Sequence, residues 1–163
     1  PSDQKKTVYM SFVNSHILYG ILLWGTMALT GDVSKLSRQQ NKAMRAIDNK
    51  KRNFPANPLY KKYNILKLED LISLELGKLM YGHSQNALPL PLQSLFQTNA
   101  YFHNYFTRGN TYTIVPKHQS SIMSSSFLVK GPSLWQSMSY DLKRAPSIKS
   151  FIKRFKDLTF SKY

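Results

Sequence analysis

Residues 32–49 read DVSKLSRQQNKAMRAIDN, and the fold turns on this stretch. Val33, Leu36, Gln40, Ala43, Met44 and Ile47 recur at the three- and four-residue intervals of one helix face. Lys35, Arg38, Lys42 and Arg45 form a second stripe, offset by two residues and so on roughly the opposite face. Asp32 has the side chain of an N-cap. The pattern predicts a helix from Asp32 to about Asn49, apolar on one side and cationic on the other. Lys50, Lys51 and Arg52 carry the charge past its end.

Upstream, Tyr9, Phe12, Val13, His16, Ile17, Gly20, Ile21 and Trp24 fall at helical spacing and predict one helix over Thr7 to Trp24. Gly25 and Gly31 punctuate its exit. Downstream, Pro55 and Pro58 mark Asn53 to Pro58 as a loop, followed by a turn at Leu59 to Tyr63. Leu66 to Tyr81 is amphipathic through Leu68, Leu71, Ile72, Leu76, Leu79 and Met80, with Gly82 as its stop. Pro89 and Pro91 break the chain again, and Leu92 to Phe96 has the length of one helical turn. Tyr112 to Val115 and Phe127 to Val129 have the composition of two short strands, enough for one small β-hairpin. Gly131-Pro132 opens a helix through about Lys143. Pro146-Ser147 opens a last one, with Ile148, Phe151, Ile152, Phe155 and Leu158 on one face. The expected fold is mostly α: a helical bundle with a helical C-terminal extension.

Charge divides the chain unevenly. Its 23 Lys+Arg exceed its 8 Asp+Glu, for a formal net charge of +15. The middle, from Asn53 to Ala100, is nearly neutral, and both flanks are strongly basic. Such an excess repels itself unless a polyanion neutralises it, which points first to nucleic acid. At 42% hydrophobic residues the chain has material for a core, so it is not a disordered basic tail. Its length fits one domain or two small units. The absence of cysteine removes disulfides, thiolate metal sites and thiol nucleophiles, and suits an intracellular protein. No signal peptide is evident, and the apolar run Ile17 to Trp24 is far short of the ~18 residues a membrane span needs. No methionine starts the chain, and it reads as a piece of something longer.

Catalytic chemistry is hard to find. Two-metal phosphoryl transfer needs converging carboxylates, and the acids here are scattered. Glu69 and Asp70 are neighbours on a helix and point apart. His16, His83, His103 and His118 share no ligand spacing. His16 is expected as a hydrogen-bonded core histidine. Tyr9, Phe12, Ile17, Trp24, Trp135 and Phe151 are expected in the core. No phosphate-cradling glycine loop or nucleophile elbow occurs.

The basic stripe has two readings. A charged helix face is commonly only solvated. Like charges at helical spacing repel by a few tenths of a kcal/mol per pair, and only Asp48 stands near to balance them, which favours a polyanion. The stretch Tyr101 to Arg108 sets aromatic rings beside a cation, suited either to base stacking or to pinning a loop.

Ser15-His16-Ile17-Leu18-Tyr19-Gly20 followed by Trp24-Gly25 resembles the S-H-x-x-Y-G-x-x-x-W-G stretch that follows the polymerase core in jockey-like non-LTR retrotransposon reverse transcriptases. Further segments come in that family's order. They are Lys42 to Ile47, Asn64-Ile65-Leu66-Lys67-Leu68-Glu69-Asp70, Leu88-Pro89, Asn104 to Arg108, Gly131-Pro132-Ser133-Leu134-Trp135, and Ser150-Phe151-Ile152-Lys153. The family's Pro in the L-W-N-S-L-P segment is replaced here by Met138-Ser139, its K-R pair reads Asn41-Lys42, and no zinc knuckle follows.

The resemblance implies the thumb and C-terminal part of such an enzyme, not catalytic alone. The palm and its Mg²⁺ would lie upstream, and no cofactor is expected in this stretch. The implied partners are an RNA–DNA template-primer duplex, element RNA and the upstream polymerase core, with no membrane and no small-molecule substrate. The implied location is cytoplasm and nucleus, within a ribonucleoprotein. The expected division is a thumb-like region 1–58, a connecting region 59–100 and a basic extension 101–163. Expected phosphate contacts are Lys35, Arg38, Lys42, Arg45, Lys50, Lys51 and Arg52, then Arg108, Lys149, Lys153, Arg154 and Lys156. The rival reading is a basic helical scaffold or protein-interaction module.

Overall fold

A computed structural model of the chain describes residues 2–28, 30–99 and 113–163. The fold is mostly helical. The helices are α1 (Ser2–Val8), a π-helical segment (Tyr9–Asn14), α2 (Ser15–Leu18), α3 (Ile21–Met27), α4 (Thr30–Ile47), α5 (Asn57–Tyr63), α6 (Leu68–Ser84), α7 (Leu90–Gln93), α8 (Ser121–Ser125), α9 (Phe127–Ser137), α10 (Tyr140–Lys143) and α11 (Ile148–Phe160). Two compact units result: residues 1–72 with 155–163, and residues 73–154. The expected boundaries, after residues 58 and 100, do not coincide with those of these units.

In the first unit the predicted single helix over Thr7 to Trp24 is interrupted. It begins earlier, at Ser2, loosens into π geometry from Tyr9, and stops at Leu18. Gly20 then adopts φ +63, the left-handed region that side chains with a Cβ avoid. This restarts the helix as α3, whose first turn bonds to the Gly20 carbonyl while the Trp24 indole donates to Tyr19 O at 2.8 Å. Gly20→Ala is expected to lower stability by about 1–2 kcal/mol, read from the urea midpoint. An unchanged midpoint would mean the turn does not need glycine.

Gly25 and Gly31, expected as exit punctuation, lie inside α3 and α4. A Cβ on Gly25 would meet Ile72 Cγ1 at 2.9 Å, so this glycine permits close packing. His16 is exposed, not in the core, with its Nδ1 against Phe12 O. Phe12 is 65% exposed, against expectation, because the helix turns that side away from the core; Trp24 is half-buried, and Tyr9 and Ile17 are buried.

The core of this unit joins Tyr9, Met44, Ile47, Leu59, Tyr60 and Tyr63. Gln40 sits within the apolar stripe and is 2% exposed. Its amide nitrogen donates to Tyr9 Oη (3.0 Å) and Leu66 O (3.1 Å), and its amide oxygen accepts from Leu68 N (2.9 Å). Tyr163 closes the unit. Its hydroxyl accepts from Lys67 N at 3.0 Å and donates to Asp70, and its ring lies edge-on to Tyr60 and 4.2 Å under the Lys67 ammonium. Asn49 and Asn64, both left-handed (φ 52 and 55), terminate α4 and α5. There Lys50 N reaches back to Arg45 O (2.9 Å) and Ile65 N to Tyr60 O (3.0 Å), satisfying the last carbonyls.

In the second unit Leu76 and Met80 of α6, Trp135, Leu142 and Phe151 are buried, and the Trp135 and Phe151 rings lie 6.2 Å apart. The Tyr81 ring stacks on Phe151 at 5.3 Å and its hydroxyl donates to Ala145 O at 2.8 Å. The helix α6 continues through Gly82 to Ser84 and is stopped by left-handed Asn86 instead. The expected strand Phe127–Val129 is the first turn of α9. Val129, Pro132 and Trp135 are buried at helical spacing, and extended Ser126 accepts the first backbone bonds. Met138 is extended, so this helix stops at Ser137 and does not run on to Lys143. In place of a hairpin, one antiparallel bridge joins Thr98 and Thr113 among the described residues. On α11, Phe151 and Phe155 are buried, but Ile148 and Leu158 are exposed.

His83 is 5% exposed and stacks on Phe96 at 5.2 Å. Burial outweighs the neighbouring Gln93 amide and holds its pKa below the ordinary 6.5. The unfolded chain therefore takes up a proton first as pH falls, so stability is full above the unfolded value and declines as pH drops through 6.5. Urea midpoints between about pH 8 and pH 5 should fall less steeply in His83→Phe. Parallel slopes would assign the acid sensitivity elsewhere.

Candidate nucleic-acid interface

Helix α4 presents its two faces as the spacing requires. Gln40, Met44 and Ile47 are buried, Val33, Leu36 and Ala43 half-buried, while Lys35, Arg38 and Lys42 are exposed and Arg45 is half-buried. The cations are not equivalent. Lys35 pairs with Asp32 at 3.0 Å, a local exposed contact worth little in stability that nonetheless cancels its charge. Arg38 Nε donates to its own helix at Ser34 O, 3.3 Å.

Charge collects at the C-terminal end of this helix. Lys42, Arg45, Ala46, Lys50 and Arg52 line an open depression of about 380 Å³. Beyond left-handed Asn49, Lys50 and Arg52 line the same depression as Lys42 and Arg45. Cations here also complement the negative end of the helix dipole. Arg45 Nε donates to Phe54 O at 2.7 Å, which fixes the plane of its guanidinium. The Lys50 ammonium stands 5.2 Å over the Phe54 ring.

Asp48, expected to balance the stripe, is mostly turned inward. Its side chain is only 9% exposed, it accepts from Lys62 Nζ and Tyr63 Oη, each at 2.5 Å, and it lies 3.8 Å from Lys50. The hydrogen bonds from Lys62 and then Tyr63 hold its carboxyl below the usual range and outweigh its desolvation. Among the described residues, Arg38, Lys42, Arg45, Lys51 and Arg52 have no carboxylate in ion-pair range.

The other expected residues are placed differently. Lys51 is exposed but does not line the depression. Lys149, Lys153 and Lys156 fall at helical spacing along one side of α11. Arg154 is held by Asp141 O at 2.7 Å. Arg108 and the aromatic stretch around it lie outside the described residues.

Sequence reasoning missed Lys5, whose ammonium donates to Ala46 O (3.3 Å) and to the Asn49 side chain, so α1 supplies a fifth cation at this end of α4. Forty-one residues of separation leave no local signal for it. Phe54 was also missed, because a backbone carbonyl that orients an arginine has no residue-type signature. Among the described residues no group of three or more His, Cys, Asp or Glu side chains converges, and no helix is long and apolar enough to cross a membrane. Comparison with known proteins finds no matching family model, no matching curated relative and no matching solved structure.

Proposed function

We propose that the chain is the non-catalytic thumb and C-terminal part of a retrotransposon reverse transcriptase, and that its first unit is a sequence-independent grip for a nucleic-acid backbone. The observation that carries this reading is the depression bordered by Lys42, Arg45, Lys50 and Arg52, with no carboxylate in its lining. A merely solvated helix face is convex and offers its cations singly. A concave set of four offers them jointly to one polyanion and makes few base contacts. The sequence resemblance supplies the template-primer duplex as the polyanion. The role would be positioning: holding an RNA–DNA hybrid while an upstream palm, with its own Mg²⁺, extends the primer.

The test is fluorescence anisotropy with an RNA–DNA hybrid across a salt series, with polyglutamate as competitor. The expected result is salt-dependent binding that polyglutamate displaces poorly. Preference for polyglutamate would instead favour a scaffold that docks acidic protein surfaces.

A further inference from the structure

We infer that the depression contains one discrete phosphate subsite, built on Arg45 as a pre-oriented fork, within an otherwise diffuse cationic surface. The inference rests on the proposed backbone-binding role and narrows it to one residue and one chemical group.

Three observations carry it. Arg45 is half-buried on the rim between the core face and the exposed face of α4, while its neighbour in the stripe, Lys42, is exposed. The hydrogen bond from its Nε to Phe54 O, at 2.7 Å, occupies the Nε–H and leaves both terminal nitrogens free of any carboxylate among the described residues. The same Phe54 carries Lys50 over its ring, and Asp48 stands 3.8 Å from that ammonium, so Lys50 is held on the same wall. A planar fork whose orientation is settled before binding loses less freedom on engaging two oxygens of one phosphate than a free lysine does. The depression has the size of a small-molecule site, enough for a phosphodiester with its flanking sugars. Lys42 and Arg52 would then meet the neighbouring phosphates as ordinary point charges.

The test compares the full chain with Arg45→Lys and, as a control, Lys42→Arg, on an RNA–DNA hybrid over a salt series. Arg45→Lys keeps the charge, so the salt slope should stay unchanged while affinity drops by about ten-fold. Lys42→Arg should stay within about two-fold of the parent. Equal loss of affinity in both variants, or none in Arg45→Lys, overturns the subsite. Nitrogen-detected NMR of the unmodified chain needs no variant to fold. Titration with inorganic pyrophosphate should shift the Arg45 side-chain resonances saturably, ahead of the other arginines. If the parent binds no hybrid but this shift occurs, the backbone-grip reading falls and the phosphate subsite stands. If no such shift occurs, the subsite is wrong whatever the hybrid does.

Discussion

Replacing Lys42, Arg45, Lys50 and Arg52 together by alanine is expected to remove about 3 to 4 units from the log–log salt slope of hybrid binding. Affinity near 0.1 M salt should fall by about two to three orders of magnitude, because each neutralised phosphate releases condensed counterions that the variant no longer displaces. This set differs from the linear stripe in one respect that decides the design. Lys35 already pairs with Asp32, so its charge is offset before any phosphate arrives. The four chosen residues share one depression whose lining holds no carboxylate, and among the described residues only Lys50 of the four has one in ion-pair range, Asp48 at 3.8 Å. Far-UV circular dichroism keeps loss of binding distinct from loss of fold, since Arg45 also anchors Phe54. A variant that retains the parent's slope would show that this cluster contacts no phosphates.

Gln40→Leu should destabilise the first unit by about 3–5 kcal/mol, against total stabilities that are commonly about 5–15. Leucine is one heavy atom shorter than glutamine but close to it in volume, so the packing change is the smaller part of the effect. The expected loss comes from three buried groups left unpaired at once: Tyr9 Oη, Leu66 O and Leu68 N. Each such orphan costs about 1–3 kcal/mol when its desolvation is no longer offset. Leu68 N belongs to the first turn of α6, where no intrahelical acceptor exists, so Gln40 acts as that helix's cap from another helix. Tyr9→Phe removes a single bond and should cost about 1 kcal/mol, with the double variant less than additive. Urea denaturation at constant m-value measures all three. A shift below about 1 kcal/mol for Gln40→Leu would mean the network is replaceable by apolar contact.

Much of this was legible in the residues, and the misses have particular causes. The two faces of α4 follow from spacing, because a helix period converts position into direction without reference to the rest of the chain. The α6 and α11 periods were equally plain over most of their length. The helix stops were not. Three helices end on left-handed Asn49, Asn64 and Asn86, whereas Gly82, the expected stop, lies inside α6. Asparagine reaches the left-handed region at modest cost, so a glycine-based rule looks past it. Gly20 breaks the first helix although the apolar spacing runs through it unbroken, since periodicity records faces and not continuity. Phe127 to Val129 is β-like in composition but helical, because burial of Val129, Pro132 and Trp135 at helical spacing overrides a weak local preference. His16 and Phe12 were expected in the core and are exposed, because which side of a largely apolar helix is covered depends on what packs there.

By itself, the sequence determined the helical class, the division of α4 into a core face and a cationic face, and the excess of positive charge. These are properties of composition and period, carried by each segment alone. Only the tertiary structure decided that Gln40 is a buried link between three segments, that Lys5 joins the end of α4 from 41 residues away, and that four cations border one depression with Arg45 tied to Phe54. Such arrangements need distant backbone to arrive at a given place, and that is set by how whole elements pack once their entropy of separation has been overcome.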